Sequence, residues 1–315
     1  MEIKRIDPNI LAARASSVFL SEKWLAIYES GVETYGIFDK GGRLTGGFVL
    51  FRQKLFGVSY YRNPMFMSTI NLFIENKARN KAKLLTENKK LIKAVSDFFD
   101  KLPYSILSVY FPEQFIDMQH FFWKGYKVVP NYTYQIDLSQ TMEQIRTAYA
   151  TERRNDLKKA EKDGIEVRRS RDLSEVSAMV RHTFNRKEKD FDSGLVDKIL
   201  QRFADEQNSF AFVAYKDNQA LAAAFCIFDQ EKVYYLLGGY DNGNKHQGAG
   251  ALAVDAAIAH SKTLGIKTFD FEGSMLPEVE RYFRGFGGDL VPYYSVNKAK
   301  FPFNFILKMI KPAQF

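Results

Sequence analysis

The chain has 315 residues, is 46% hydrophobic, and carries 45 Lys and Arg against 37 Asp and Glu, a formal net charge of +8. That length and apolar fraction support two domains with real cores and exclude a disordered tail, while the positive balance favours anionic partners: nucleotides, CoA, RNA or acidic membrane surfaces. The single cysteine excludes an intrachain disulfide, no stretch of about 18 uncharged apolar residues occurs, and the start "MEIKRIDPNI" lacks an apolar signal core, so the chain reads as soluble and cytoplasmic.

In residues 33 to 51, "ETYGIFDKGGRLTGGFVLF" predicts a β-hairpin closed by a glycine-containing turn. A long basic helix over about 76 to 100 follows, then the strand "YSILSVYF", a short helix ending in "FFWKGY", and the strand "KVVPNYTYQIDL". The second half repeats the plan. "FAFVAYKDNQALAAAFCIF" (210 to 228) is a hairpin; "KVYYLLGGY", a helix over about 247 to 264, the strand "KTFDF" and a short helix ending in "YFRGFGG" complete it. The shared order implies a structural duplication, with domains 1–140 and 141–315. Ser139 with Glu143 marks the expected helix start beyond the boundary. Between Asp172 and Asn208 the pattern gives two ordinary helices, "LSEVSAMVRHTFNRK" and "GLVDKILQRFADEQ".

Cys226, inside "LAAAFCIF", reads as a packed thiol. His120, His182, His246 and His260 have no spacing with cysteine or carboxylates that makes a metal site, so no metal is expected.

The stretch "GGYDNGNKHQGAGALAVDAA" leaves a strand and opens a helix. Lys245, Gly248 and Gly250 there would present backbone amides to an anion, because a helix N-terminus carries unpaired N–H groups and partial positive charge. Gly238 and Gly239 in the preceding strand mark either a place where regular pairing is lost, leaving backbone amides exposed, or an ordinary strand end followed by a turn. Strand alternation along "KTFDFEG" puts Asp270 and Glu272 on one face about 7 Å apart. Two carboxylates so placed raise each other's pKa, which makes Glu272 the candidate base, with Asp270 deeper. The competing reading is an ion pair among Glu272, Arg281 and Arg284 that ties strand to helix. In the active reading Arg284 holds a phosphate or carboxylate of substrate. Arg154 and Lys158, four residues apart on one helix, offer a second anion site for an acceptor, joined by Arg281. No aromatic is interleaved with these charges, so base stacking is not indicated and no DNA partner is expected. "KFPFNFILKMIKPAQF" reads either as a helix covering the core or as a peripheral membrane contact.

The segments "GYKVVPNYTYQIDL", "RRNDLKKAEKDGIEV", "FDFEGS" and "YFRGFGGDLVPYY" carry a resemblance to acyltransferases of the GNAT superfamily, and the tandem arrangement resembles the Fem family of peptidoglycan bridge aminoacyltransferases. The resemblance implies an α/β (α+β) fold of two tandem GNAT-like domains, each a mixed, mostly antiparallel sheet flanked by helices, with the site in the second. It implies an N-acyltransferase that moves an acyl group directly from donor to amine; the place of the tyrosine that protonates the leaving group in GNAT enzymes falls on Arg281, and Tyr282, one residue on, is the candidate proton donor. The donor stays open. "KHQGAG", which matches the GNAT pyrophosphate loop, and the lack of the long helical arm many Fem proteins carry point to an acyl-CoA; the whole-chain likeness points to aminoacyl-tRNA and a peptidoglycan precursor, so that a small amine or a nucleotide-linked acceptor and a tRNA partner are both in view. A catalytically inert GNAT-like binding module is the third reading.

Overall fold

The computed structural model describes residues 1–75, 80–185, 192–241, 243–273 and 275–315. The chain divides into two compact units, Met1–Tyr132 with Pro292–Phe315, and Thr133–Val291.

Unit 1 begins with β1 (Glu2–Arg5), α1 (Pro8–Ala12), a 3₁₀ turn at Val18–Leu20 and α2 (Glu22–Leu25), none of them expected from the sequence. Asp7 caps α1 by accepting the Asn9 amide, with Pro8 at the first helical position, where its missing N–H costs nothing. Then come β2 (Val32–Phe38), β3 (Leu44–Leu55), β4 (Val58–Arg62), the short β5 (Phe73–Ile74), α3 (Lys81–Lys101), β6 (Ile106–Tyr110), α4 (Gln119–Trp123) and β7 (Lys127–Asp137). The first hairpin turns where predicted: the Asp39 carboxylate accepts the Gly41 and Arg43 amides, and Gly42 takes the left-handed conformation (φ 78°) that a Cβ disfavours. The expected helix start at 76–79 lies outside the described residues; α3 opens at Lys81, with Asn80 accepting the Lys83 amide. Strands β1-β2-β3-β4-β6 lie in that order, antiparallel except for the parallel pair β4–β6 that α3 bridges. The buried stripe Leu91, Ile92, Val95 and Phe99 of α3 packs in one core with Phe48, Leu50, Leu107 and Val109.

Unit 2 holds α5 (Met142–Ala148), α6 (Thr151–Lys162), β8 (Glu166–Ser170), α7 (Leu173–Asn185), α8 (Ser193–Lys198) running into a π turn (Ile199–Phe203), β9 (Ser209–Lys216), β10 (Gln219–Phe228), β11 (Lys232–Tyr240), α9 (Ala249–Thr263), β12 (Thr268–Asp270) and α10 (Pro277–Arg284). Its strand order is β7-β12-β11-β10-β9-β8, and only β11–β12 run parallel, bridged by α9. The β9–β10 hairpin closes on Asp217 and Asn218, both at positive φ, the geometry a two-residue turn requires. Helix α5 is capped by Thr141 and Gln144 in a reciprocal box rather than by Ser139 and Glu143; the Ser139 amide goes instead to Asp137. Cys226 is buried in β10. The second expected helix of the 172–208 region is α8 with its π turn; the end of the first, beyond Asn185, lies outside the described residues.

After unit 2 the chain forms β13 (Asp289–Ala299) and α11 (Phe303–Ile310). Apart from the short β5, which has no counterpart in the second half, β2, β3, β4, α3, β6, α4 and β7 follow the same order as β9, β10, β11, α9, β12, α10 and β13. Each last strand, however, pairs outside its own half. In unit 2, Gln135–Asp137 of β7 pair with β12, and in unit 1, Ser295–Ala299 of β13 pair with β6. The expected cut near residue 140 therefore falls inside unit 2, and residues 292–315 belong to unit 1.

Helix α7 lies so close on β11 that a Cβ on Gly239 would collide with the Met179 carbonyl and reach within 2.6 Å of the Val180 amide nitrogen. Backbone cannot move aside as a side chain can. Gly239→Ala is expected to lower stability by about 2–3 kcal/mol, read from urea unfolding midpoints.

Candidate active site

Strands β11 and β12 form a fork. They pair only from Lys232 to Tyr234 against Thr268 to Asp270. Beyond that, β12 ends and the Phe271 amide turns to the Tyr134 carbonyl of β7. β11 stays with β10, and its register slips by a residue between Tyr235 and Leu237. The expected loss of pairing at Gly238 and Gly239 is therefore corrected: both remain paired, to Ala224 and Ala223, and the separation begins earlier and on the other edge, after Tyr234. Their lack of side chains serves packing. Gly239 admits α7, and Gly238 lies where a Cβ would run into the Tyr235 hydroxyl.

At the base of the fork sits Asp270, 4% exposed. Its carboxylate accepts from Thr133 Oγ1 (2.6 Å) and Gln135 Nε2 (2.8 Å) of β7, from the Glu272 amide (2.9 Å), and faces Lys232 Nζ of β11 at 3.4 Å. The deeper carboxylate is thus partnered by a lysine, not an arginine. Glu272 is not its neighbour on a continuing strand, because Glu272 adopts φ 60° and Gly273 φ 75°, a left-handed pair that ends the alternation. A glutamate in that region is uncommon, and the Asp270 bond to its amide helps fix it. Glu272 is half-buried and near Tyr234, whose hydroxyl is driven well above its ordinary pKa by burial first and then by Asp229, Glu272 and Asp270.

The expected cluster of Glu272 with two arginines is not what α10 builds. Its arginines lie on the solvent face: Arg281 pairs with Glu152 (3.0 Å), and Arg284 pairs with Glu280 (2.8 Å), which also accepts the Tyr134 hydroxyl (2.6 Å). The inward residues of α10 are Phe283 and Tyr282. Phe283 stacks on Phe271, with ring centroids 4.9 Å apart. Tyr282 lies under the Arg153 guanidinium at 4.3 Å, and its hydroxyl is 3.4 Å from where a Cβ on Gly250 would stand, so it abuts the first turn of α9. Burial pushes the Tyr282 phenol up to about 12 against the pull of Arg153. The neighbouring Tyr235 is raised by its own burial and, secondarily, by Tyr282.

Helix α9 opens at Gly248 with no side-chain cap. One side of the opening is closed by α6, since a Cβ on Gly248 would collide with the Asp156 carbonyl and stand 2.8 Å from the Ala160 Cβ. His246 ties the loop down: its Nδ1 accepts the Gly248 amide (3.2 Å), which leaves Nε2 to donate to Asp163 (3.0 Å). Lys159 and His246 together hold the Asp163 carboxyl down to about 2. Lys245 is exposed, its ammonium 5.3 Å from the Tyr240 ring centroid.

Arg154 spends its guanidinium on the Thr147 and Tyr149 carbonyls and the Thr151 hydroxyl at the end of α5, while Lys158 is exposed. The residues that sequence reasoning missed are Arg153 and Asp156, buried and paired at 2.8 Å. The signal was present. Positions 153, 156, 157 and 160 form an inward stripe at helical spacing whose apolar members are Leu157 and Ala160.

Residues 148–284 match the family model described as acetyltransferase (GNAT) domain. No curated protein matches the chain. Among solved structures, a crystal structure of FemX is similar at TM-score 0.66 and 13% identity, covering 99% of this chain and 100% of that one. The C-terminal domain of a putative lysylphosphatidylglycerol synthetase from Agrobacterium fabrum follows at 0.58 and 11%, covering 97% and 94%. A tandem GNAT protein from the clavulanic acid biosynthesis pathway is similar at 0.53 and 9%, covering 94% and 98%. At these identities the likeness is one of fold. The chain has a Fem-like tandem GNAT fold and carries a GNAT acyltransferase domain.

Two expectations follow from the geometry. Gly248→Ala should cost about 1–3 kcal/mol in urea unfolding because it strikes backbone, whereas Gly250→Ala meets only van der Waals contact and should stay within about 1 kcal/mol of wild type. The Tyr282 shift also has a pH signature. A phenol raised from 10 to about 12 in the fold contributes stability that is full below pH 10 and is lost as pH rises toward 12. Tyr282→Phe should therefore flatten the fall in urea midpoint over that window, though not abolish it, since Tyr134 and Tyr215 are likewise pushed up to about 12.

Proposed function

Because unit 2 carries a GNAT acyltransferase domain, we propose that it transfers an acyl group from an acyl-CoA directly to an amine, with the acyl carbon held in the fork between β11 and β12. The observation that supports this reading most is the convergence of the fork, the uncapped first turn of α9 and the Tyr282 hydroxyl beside Gly250. The first-turn amides of α9 lack intrahelical acceptors and suit a pyrophosphate approaching on the Gly250 side, with Lys245 adding charge. β11 amides on the edge facing away from β10, near Gly238 and Gly239, polarise the acyl carbonyl.

Glu272 takes the proton from the ammonium of the acceptor. The free amine attacks the acyl carbon, the cationic nitrogen of the tetrahedral intermediate releases its second proton to solvent, the intermediate collapses with cleavage of the C–S bond, and the leaving sulfur takes a proton from Tyr282, which is a neutral phenol at physiological pH. Solvent then returns the proton from Glu272 to Tyr282. Lys158, Arg281 and Arg284, all exposed, are assigned to anionic groups of the substrates, and Arg154 to holding α6 on α5. No donor site is assigned to unit 1, where Asn80 already caps the crossover helix.

A second reading is favoured by one observation: α6 occupies the Gly248 side of the loop that would cradle a pyrophosphate. An aminoacyl-tRNA donor, as in the Fem family that the chain resembles, needs no such cradle, and its acceptor would be a peptidoglycan precursor.

Thermal shift separates the two. CoA at 100 times its dissociation constant should add about 2.7 kcal/mol of stability; a shift with aminoacyl-tRNA and none with CoA would favour the second reading, and no shift with either would leave an inert binding module. With the donor known, Glu272→Gln and Tyr282→Phe should each lower kcat by about 10²- to 10⁴-fold at unchanged donor affinity. Full turnover in both variants would remove them from the mechanism.

A further inference from the structure

We propose that helix α11 of unit 1 seats on an anionic phospholipid surface, with Phe305, Ile306, Met309 and Ile310 in the boundary between headgroups and acyl chains and Lys308 and Lys311 at the phosphates. The sequence allowed α11 to be a helix covering the core or a peripheral membrane contact; in the structure none of its eight residues is fully buried. Phe305 is 66% exposed, Ile306 48%, Met309 71% and Ile310 66%, and Phe301, just before the helix, is 85% exposed.

These side chains are not scattered. At about 100° per residue, positions 305, 309, 306 and 310 sweep an arc of about 140° on one side of the helix, while the partly covered Leu307 and Asn304 occupy the other and the partly covered Phe303 lies at the margin beyond Ile310. A contiguous apolar arc on an outward helix face is the shape of an interfacial anchor, and isolated exposed apolar residues are not.

Charge selects the partner. From Leu290 to Phe315 the sequence has no Asp or Glu and contains Lys298, Lys300, Lys308 and Lys311. Lys298 is engaged with Asp100, and Lys300 lies 4.6 Å from the Tyr104 ring centroid, whereas Lys308 and Lys311 stand exposed on the helix itself and directly after it. An exposed apolar arc on a segment that has exposed lysines on and directly after the helix, and no acids, matches a surface with negative headgroups over a hydrocarbon layer. A second copy of this chain would bring the same lysines together across the contact. The mode is peripheral, since among the described residues no helix is long and apolar enough to cross a membrane.

Co-sedimentation with sucrose-loaded vesicles tests the proposal. Wild type should pellet with phosphatidylcholine vesicles that contain phosphatidylglycerol and at least roughly tenfold less with phosphatidylcholine alone, since each lysine near an anionic surface contributes about fivefold. The double variant Phe305→Ser/Met309→Ser, which alters only outward side chains, should keep its circular dichroism spectrum and lose vesicle binding by more than about tenfold. Lys308→Gln/Lys311→Gln should abolish the preference for phosphatidylglycerol. Failure of wild type to pellet, equal pelleting on both vesicle types, or undiminished binding by the serine variant would overturn the proposal. A dimer in light scattering that the serine variant dissolves, without vesicle binding, would overturn it in favour of a second copy of the chain.

Discussion

Asp270 holds the fork of unit 2 together, and it does so as a charge removed from water. A carboxylate at 4% exposure is stable there only because Lys232 supplies the counter-charge and Thr133, Gln135 and the Glu272 amide fill its lone pairs. Those partners come from β7, β11 and the turn that follows β12, so a single side chain fixes how far the strands run together and where they part. The left-handed conformation of Glu272 is part of the same arrangement. Without the bond from its amide the turn would lose the tie that sets Glu272 beside Tyr234.

Each unit has one parallel strand pair, and in each a single helix makes the crossover: α3 for β4 and β6, α9 for β11 and β12. The paired stretches have the same extent, Tyr60–Arg62 on β4 and Lys232–Tyr234 on β11, but β4 stops there while β11 runs on to Tyr240. A second difference lies at the helix starts. Asn80 closes the first turn of α3 with its own side chain, while α9 begins on glycine and is tied down from its loop by His246. A cap side chain thus takes one first-turn donor of α3, where α9 has no cap side chain to do so.

Much of the fold was legible because it is written locally. The hairpins, the turn at Asp39 to Gly42 and the repeated order of elements follow from alternation, glycine placement and short-range capping. Two kinds of feature were not. Pairing of β7 with β12 joins residues more than 130 apart, as the Thr133–Asp270 bond illustrates, and no period or motif encodes such a partner choice. Side-chain partnerships are harder to read than elements: the ion-pair reading joins Arg284 to Glu272 across a turn, whereas Arg284 pairs with Glu280, four residues away on one helix, as helical spacing alone predicts. The four-residue spacing of Arg154 and Lys158 marks an outward face of α6, whereas the inward stripe of the same helix carries the buried ion pair of Arg153 and Asp156.

The pairing of β13 with β6 bears on the order in which the chain can mature on the ribosome. Thr133–Val291 is a continuous run, so everything unit 2 needs has emerged by the time its last residue clears the exit tunnel. Unit 1 must wait: Val296 belongs to its core, and Asn297 accepts the Ser108 hydroxyl at 2.6 Å, so the unit whose synthesis begins first is also the one left with an open edge longest. At synthesis rates of about 5–20 residues per second the delay between β6 and β13 lasts on the order of ten seconds or more. During that interval the β6 edge is an unpaired template of the kind that invites wrong partners, and a chaperone that shields it would act on the amino-terminal unit rather than on the one that carries the fork.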